Sequence, residues 1–111
     1  MNGLDPVIHA EARLRVITTL NSIGEDNAIS FPKLRKILDM TAGNLSTHLR
    51  KLEEAHYVEQ SKVIENRSPA TYVKITPRGR VAFLDYRQAL RTLLTDSPGI
   101  SSTTAESQDS K

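Results

Sequence analysis

Between positions 43 and 51 lie Gly43, Asn44, Thr47, Arg50 and Lys51, a set of short donors and acceptors followed by two cations. Asn and Arg form paired hydrogen bonds with base edges, and Lys and Arg neutralise phosphates, so these residue types have the chemistry that a nucleic-acid duplex demands. Spacing gives them a common direction. In residues 41–52, TAGNLSTHLRKL, Thr41 is a favoured N-cap, and Ala42, Leu45, Leu49 and Leu52 recur at helical intervals. At about 100° per residue the polar set falls opposite that apolar stripe, and no carboxylate shares its face before Glu54. Ser46 flanks the face as a phosphate ligand, and His48 sits at its edge as a further hydrogen-bond donor. A solvated helix face would use the same residue types, so the neighbouring elements must decide between the two.

Other chemistries fit poorly. His9, His48 and His56 are far apart, form no His-x-x-x-His pair and have no cysteine to join them, so no metal and no cofactor is expected. No nucleophile–base motif, glycine-rich phosphate loop or acid pair appears, and the chain reads as a non-enzyme. Without cysteine there is no disulfide. Residues 1–5 lack the basic run of a signal peptide, and no apolar run approaches the ~18 residues that span a bilayer, so a cytoplasmic protein with no membrane partner is expected. The net charge of +2 is modest. It conceals a cationic middle: residues 32–80 hold ten basic against five acidic side chains.

With 111 residues the chain suits one domain, 1–95, followed by a tail. Asp5-Pro6 opens a first helix, expected to run to about Asn21, whose rows Val7, Ala10, Leu14, Ile17 and Ile8, Ala12, Val16, Leu20 suggest burial on two sides. After a turn at 22–27 and a brief extended bridge at 28–31, Pro32 opens a short helix to about Leu38. There Leu34, Ile37 and Leu38 face inward, and Lys33, Arg35 and Lys36 face outward. This helix, a turn of about three residues and the helix at 41–55 make a helix-turn-helix. Two β-rich runs, 57–64 and 71–75, flank a polar tip at 65–70 that carries Arg67, an arginine suited to a narrow minor groove. Such a hairpin is a wing. Thr76-Pro77 then opens a long helix to about Thr95 with Phe83, Tyr86, Leu90 and Leu93 in a stripe. The tail, 96–111, holds seven Ser or Thr and one large aliphatic residue, Ile100, and is expected to be disordered.

The run LSTHLRKLEEAHYVE at 45–59, a hairpin, and ITPRGR at 75–80 together resemble the small single-domain winged helix-turn-helix transcriptional regulators of the MarR/ArsR-like group. The resemblance covers roughly residues 6–95. It implies a mainly α fold with a small β-hairpin (α+β), helix 41–55 in the major groove, the 65–70 wing at the backbone or minor groove, and terminal helices that pair two subunits. The DNA-contacting residues would then be Lys33, Lys36, Thr41, Gly43, Asn44, Ser46, Thr47, His48, Arg50, Lys51 and Arg67. One departure stands out. Where such relatives usually carry Gly at the exit of the recognition helix, this chain has His56, which predicts a left-handed residue strained by about 1 kcal/mol.

Ile8, Val16, Leu20, Phe83, Tyr86, Leu90, Leu93 and Leu94 give the terminal helices more apolar surface than one small domain covers, so a homodimer through these residues is expected. A two-fold pair sets two recognition helices about one DNA turn apart, matching a pseudo-palindromic operator. The whole reads as a homodimeric, sequence-specific double-stranded DNA-binding regulator acting as a repressor. Two rivals stand beside it: a protein–protein interaction module, disfavoured because the polar face has no aromatic or Met anchor, and a regulator that senses a small-molecule effector near the dimer interface.

Overall fold

A computed structural model describes residues 3–96 of the chain, and the segment 97–111, expected to be a disordered tail, lies outside the described residues. Four helix starts carry side-chain caps. Asp5 accepts from Val7 N at 2.8 Å, Ser30 from Lys33 N at 3.3 Å, Thr41 from Asn44 N at 3.1 Å and Thr76 from Gly79 N at 2.9 Å. Each satisfies an amide that the first helical turn leaves without a partner. They open α1 (Pro6–His9), α3 (Phe31–Leu38), α4 (Ala42–Glu54) and α5 (Pro77–Asp96). Among the described residues, α2 (Glu11–Ile23) is the one helix that starts without a side-chain cap, at Ala10.

That start corrects the single N-terminal helix expected from Asp5-Pro6 to Asn21. Ala10 is extended at φ −68°, ψ 131°, and it splits the segment into α1 and α2. The Val7 carbonyl, which an unbroken helix would bond to residue 11, accepts instead from Arg13 Nε at 2.6 Å. No Gly or Pro marks the break, because a side chain from the next turn sustains it.

Both helices of the helix-turn-helix end on a left-handed residue. Asp39 (φ 55°) follows α3, with Asp39 N on Lys36 O at 3.2 Å and Met40 N on Arg35 O at 3.3 Å. His56 (φ 67°) follows α4, with His56 N on Glu53 O and Tyr57 N on Leu52 O, both at 2.9 Å. These paired bonds are a Schellman exit. The left-handed conformation expected of His56 is therefore present, and Asp39 shares it.

The wing is longer and tighter than the sequence suggested. β2 (Val58–Glu65) and β3 (Ser68–Ile75) pair without interruption from Val58↔Ile75 to Glu65↔Ser68. The tip is Asn66-Arg67 alone, both at positive φ (51° and 67°), as a two-residue type I′ turn requires. Pro69, read as a tip residue, lies opposite Ile64 inside the ladder. Glu65↔Ser68 closes the turn as a hydrogen-bonded pair, so by alternation the next pair is not one and Pro69 forfeits no bond. A two-residue strand β1 (Ile29–Ser30) covers β3 at Val73 and Tyr72, giving the order β1-β3-β2.

One core joins these parts. Leu34 and Leu38 from α3, Leu45, Leu49 and Leu52 from α4, and Val73 and Ile75 from β3 meet Val16, Ile17 and Leu20 of α2, and Phe83 and Tyr86 close it from α5. Two expected inward residues are outside: Ile37 is 53% exposed, and Ala42 in the first turn of α4 is also exposed.

The wing and α5 share a root. Tyr57 O accepts from Thr76 N at 3.0 Å, and Thr76 Oγ1 donates to His56 O at 2.7 Å while it caps α5. Gly79 lies so near that an added Cβ would sit 2.0 Å from Tyr57 O. The Thr-Pro-x-Gly run is thus a cap, a helix-starting proline and a contact that admits no side chain. Gly79→Ala is expected to destabilise the domain by about 3 kcal/mol or more, through overpacking against backbone that cannot rotate away. His56→Gly should act in the opposite sense, relieving left-handed strain of about 1 kcal/mol and raising the melting temperature by about 4–8 °C. Thermal unfolding by circular dichroism checks both.

Candidate nucleic-acid interface

The core leucines turn α4 so that Gly43, Asn44, Thr47, Arg50 and Lys51 are all exposed, with Gly43, Thr47 and Arg50 along the ridge farthest from Leu45 and Leu49. Thr41 and Ser46 are exposed beside it. Thr47 Oγ1 donates to Gly43 O at 3.0 Å, which turns its hydroxyl back along the helix. Around Gly43 there is open space: no heavy atom outside its own helical surroundings lies within 4 Å of an added Cβ. Glycine in a helix costs up to about 1 kcal/mol relative to alanine, and nothing inside the protein requires one here.

Beside α4 the wing forms a cleft of about 660 Å³ lined by Phe31, Ser46, Arg50, Glu53, Gln60, Lys62 and Thr71. Gln60, Lys62 and Thr71 did not emerge from the sequence reading. Period-2 alternation from the buried Val58 places Gln60 and Lys62 on its side of the sheet, and Thr71 pairs with Lys62. Glu53 Oε1 accepts from Gln60 Nε2 at 3.0 Å, which ties the last turn of α4 to the wing's base. At the far end Arg67 is exposed on the tip. On the sheet's other face Tyr72 donates its hydroxyl to Glu65 Oε2 at 2.7 Å, and this hydrogen bond, with lesser desolvation and carboxylate charge, raises the Tyr72 pKa.

Lys33 and Lys36 are exposed on α3. Arg35 is engaged within the turn, donating to Met40 O at 3.2 Å, and Arg15 reaches from α2 to Leu38 O at 2.6 Å. Both hold carbonyls at the end of α3 and so fix the helix-to-helix angle. His48 does not join the exposed face: it is half-buried, and its Nδ1 is shut from water without a hydrogen-bond partner. Burial first, and then the nearby Arg13 charge, lower its pKa below 6.5.

The residues expected at a dimer interface separate into two groups. Ile8, Val16 and Leu20 are at most 1% exposed, and Phe83 and Tyr86 at most 5%, so the protomer's own core already covers them. The wide apolar surface of the first two helices is used twice within one chain, since α2 packs against α4, α5 and β3. Leu90 is half-buried, and Leu93 and Leu94 are about half exposed (50% and 47%), joined by Val81 (59%) and Leu84 (40%). Among the described residues no helix is long and apolar enough to cross a membrane.

A helix-turn-helix with an exposed polar ridge, followed by a hairpin rooted at the exit of its second helix, defines a winged-helix DNA-binding protein. The pattern of the winged helix DNA-binding domain matches residues 12–94, and the chain belongs to that family. It is similar to an uncharacterized protein of Methanocaldococcus jannaschii, 35% identical over 80 residues, which are 72% of this chain and 84% of that one. Among solved structures, a transcriptional regulator homologue from Pyrococcus horikoshii OT3 superposes with a TM-score of 0.71 at 31% identity, over 78% of this chain and 83% of that chain. A MarR family regulator from Silicibacter pomeroyi shares the fold at 16% identity and a TM-score of 0.61, over 86% of this chain and 65% of the other.

The environment of His48 has a consequence for stability. Its folded pKa lies below the unfolded value of 6.5, so the unfolded chain binds the proton more readily. The neutral imidazole's contribution is full above about pH 6.5 and is lost as pH falls below it toward the folded pKa. Urea unfolding at about pH 7.5 and about pH 5.5 should show the domain weaker at the lower pH, and His48→Gln should reduce that difference.

Proposed function

We propose that this protein is a homodimeric, sequence-specific regulator of transcription that binds double-stranded DNA at a pseudo-palindromic operator and represses by occluding it. The observation that carries the reading is the Asn66-Arg67 turn. The second position of a type I′ turn favours Gly, yet here a cation occupies it at φ 67°, at a strain of about 1 kcal/mol that a merely solvated loop gives no reason to keep. An arginine held at the end of a projecting ribbon suits the negative potential of a narrow minor groove. In this reading Asn44 and Thr47 face base edges, Arg50, Lys51, Lys62 and Ser46 hold phosphates or guanine, Thr41 and Gly43 allow close approach, and Lys33 and Lys36 steer the backbone. The outward ridge of α4 carries no aromatic or Met anchor, which disfavours a protein partner.

The second protomer is proposed to pack on α5. Val81, Leu84 and Leu94 are exposed along one side of the 20-residue α5, and Leu93 is exposed on its other side, apolar positions that a second copy could cover. Beside it an open groove of about 1190 Å³ runs between the N-terminal residues Gly3–Pro6, Tyr57 and α5. A second copy would cover both.

Duplex binding should weaken steeply with salt, log K falling against log salt with a slope of about 0.9 for each phosphate neutralised. Arg67→Ala should lower affinity about tenfold and leave the melting temperature unchanged or higher. Salt-independent binding, or an Arg67→Ala protein that binds as wild type, would refute the interface. Light scattering should give twice the chain mass of 12.3 kDa, and a monomer at micromolar concentration would refute the dimer.

A further inference from the structure

We propose that Thr47 is a specificity-determining residue that reads the 5-methyl group of a thymine, received in the notch between Thr47 and Gly43 on the outer ridge of α4; the inference rests on α4 being the major-groove helix. Three features of the structure converge on it. The Thr47 hydroxyl proton is committed to Gly43 O at 3.0 Å, so the side chain has no free O–H with which to donate to a base. With the oxygen turned back along the helix, the Cγ2 methyl is what remains at the exposed end, and Thr47 faces outward as an apolar group.

One turn earlier, Gly43 carries no side chain, so the ridge drops away on that side of Thr47. No heavy atom outside its own helical surroundings lies within 4 Å of an added Cβ, so the absence of a side chain serves no packing inside the protein. The result is a shallow apolar step, flanked by Asn44 on one side and Ser46 on the other. In the major groove the thymine methyl is the one apolar mark on a base edge, and the other bases present donors or acceptors there. Cytosine, which lacks the methyl, would leave the step unfilled, and its exposed amino group would find only a hydroxyl oxygen already turned away.

The test begins with selection of duplexes by the full-length protein, followed by replacement of each thymidine in the selected half-site, one at a time, by deoxyuridine. This swap removes only the methyl and keeps base pairing. One thymine per half-site should be sensitive, with affinity falling about fourfold, the value of one buried methyl group. Thr47→Ser, which keeps the hydroxyl and loses the methyl, should bind the thymidine and deoxyuridine duplexes equally. Thr47→Val, which keeps methyls and loses the hydroxyl, should retain the wild-type preference. Gly43→Ala should melt at a higher temperature yet bind the selected duplex more weakly.

A selected duplex that tolerates deoxyuridine at every position, or an equal loss in wild type and Thr47→Ser, overturns the thymine reading while leaving DNA binding intact. A Gly43→Ala protein that binds as tightly as wild type removes the notch from it. Failure to select any duplex overturns the proposed function as well, so the two are told apart by the first step.

Discussion

The backbone of His56 and Tyr57 is the point on which the molecule turns. Tyr57 O takes the Thr76 amide, His56 O takes the Thr76 hydroxyl, and Gly79 presses α5 against the same peptide. From the other side the Tyr57 hydroxyl donates to Asp5 Oδ2 at 2.5 Å, and Asp5 in turn caps α1. Burial, then that bond and the Asp5 charge, push the Tyr57 pKa to about 12, so the phenol remains a donor throughout the neutral range. One dipeptide therefore ends α4, starts the wing, seats the last helix and anchors the N-terminus. The left-handed His56 is the geometric condition for all four, because only a reversal there sends the chain from Leu52 directly into β2.

This arrangement explains why the polar face can consist of exposed residues that take no part in the core. α4 is held from behind by three leucines with no solvent exposure, from its N-terminus by Thr41, and from its C-terminus by the Schellman exit and the Glu53–Gln60 bond. No residue on the outward ridge is needed for stability, and one of them, Gly43, weakens the helix slightly. One face of this 13-residue helix thus carries its packing, and the opposite face is left open for the proposed contact with DNA.

The parts of the fold legible in the sequence were those set by local rules. Leucine spacing, Ser, Thr or Asp before a helix and proline at its start located α3, α4 and α5, and the family pattern pointed to the left-handed exit at His56. What escaped was decided at long range or by a partner strand. The break at Ala10 depends on Arg13 reaching back to Val7 O, which no periodicity reveals. Pro69 looked like a turn residue because proline is rare in strands, and only the register against Ile64 shows that it sits where no ladder bond is lost. Ile8, Val16 and Leu20 were assigned to a partner because their stripe was wide, whereas α1 and α2 bury these residues within their own chain. His48 lies at the edge of the helical wheel, and one turn of uncertainty separated the groove from the interior.

The wing's attachment also makes it a lever. β1 supports β3 only as far as Tyr72, and beyond that pair the hairpin is an unsupported two-stranded ribbon. Five further residues at about 3.3 Å each carry Arg67 about 16 Å beyond that pair, so a bend of about 12° there displaces the tip by about 3.4 Å. That stroke is about one base-pair rise, and the stiffness of the two-stranded ribbon beyond Tyr72 therefore sets how closely the spacing between Arg67 and the ridge of α4 is held.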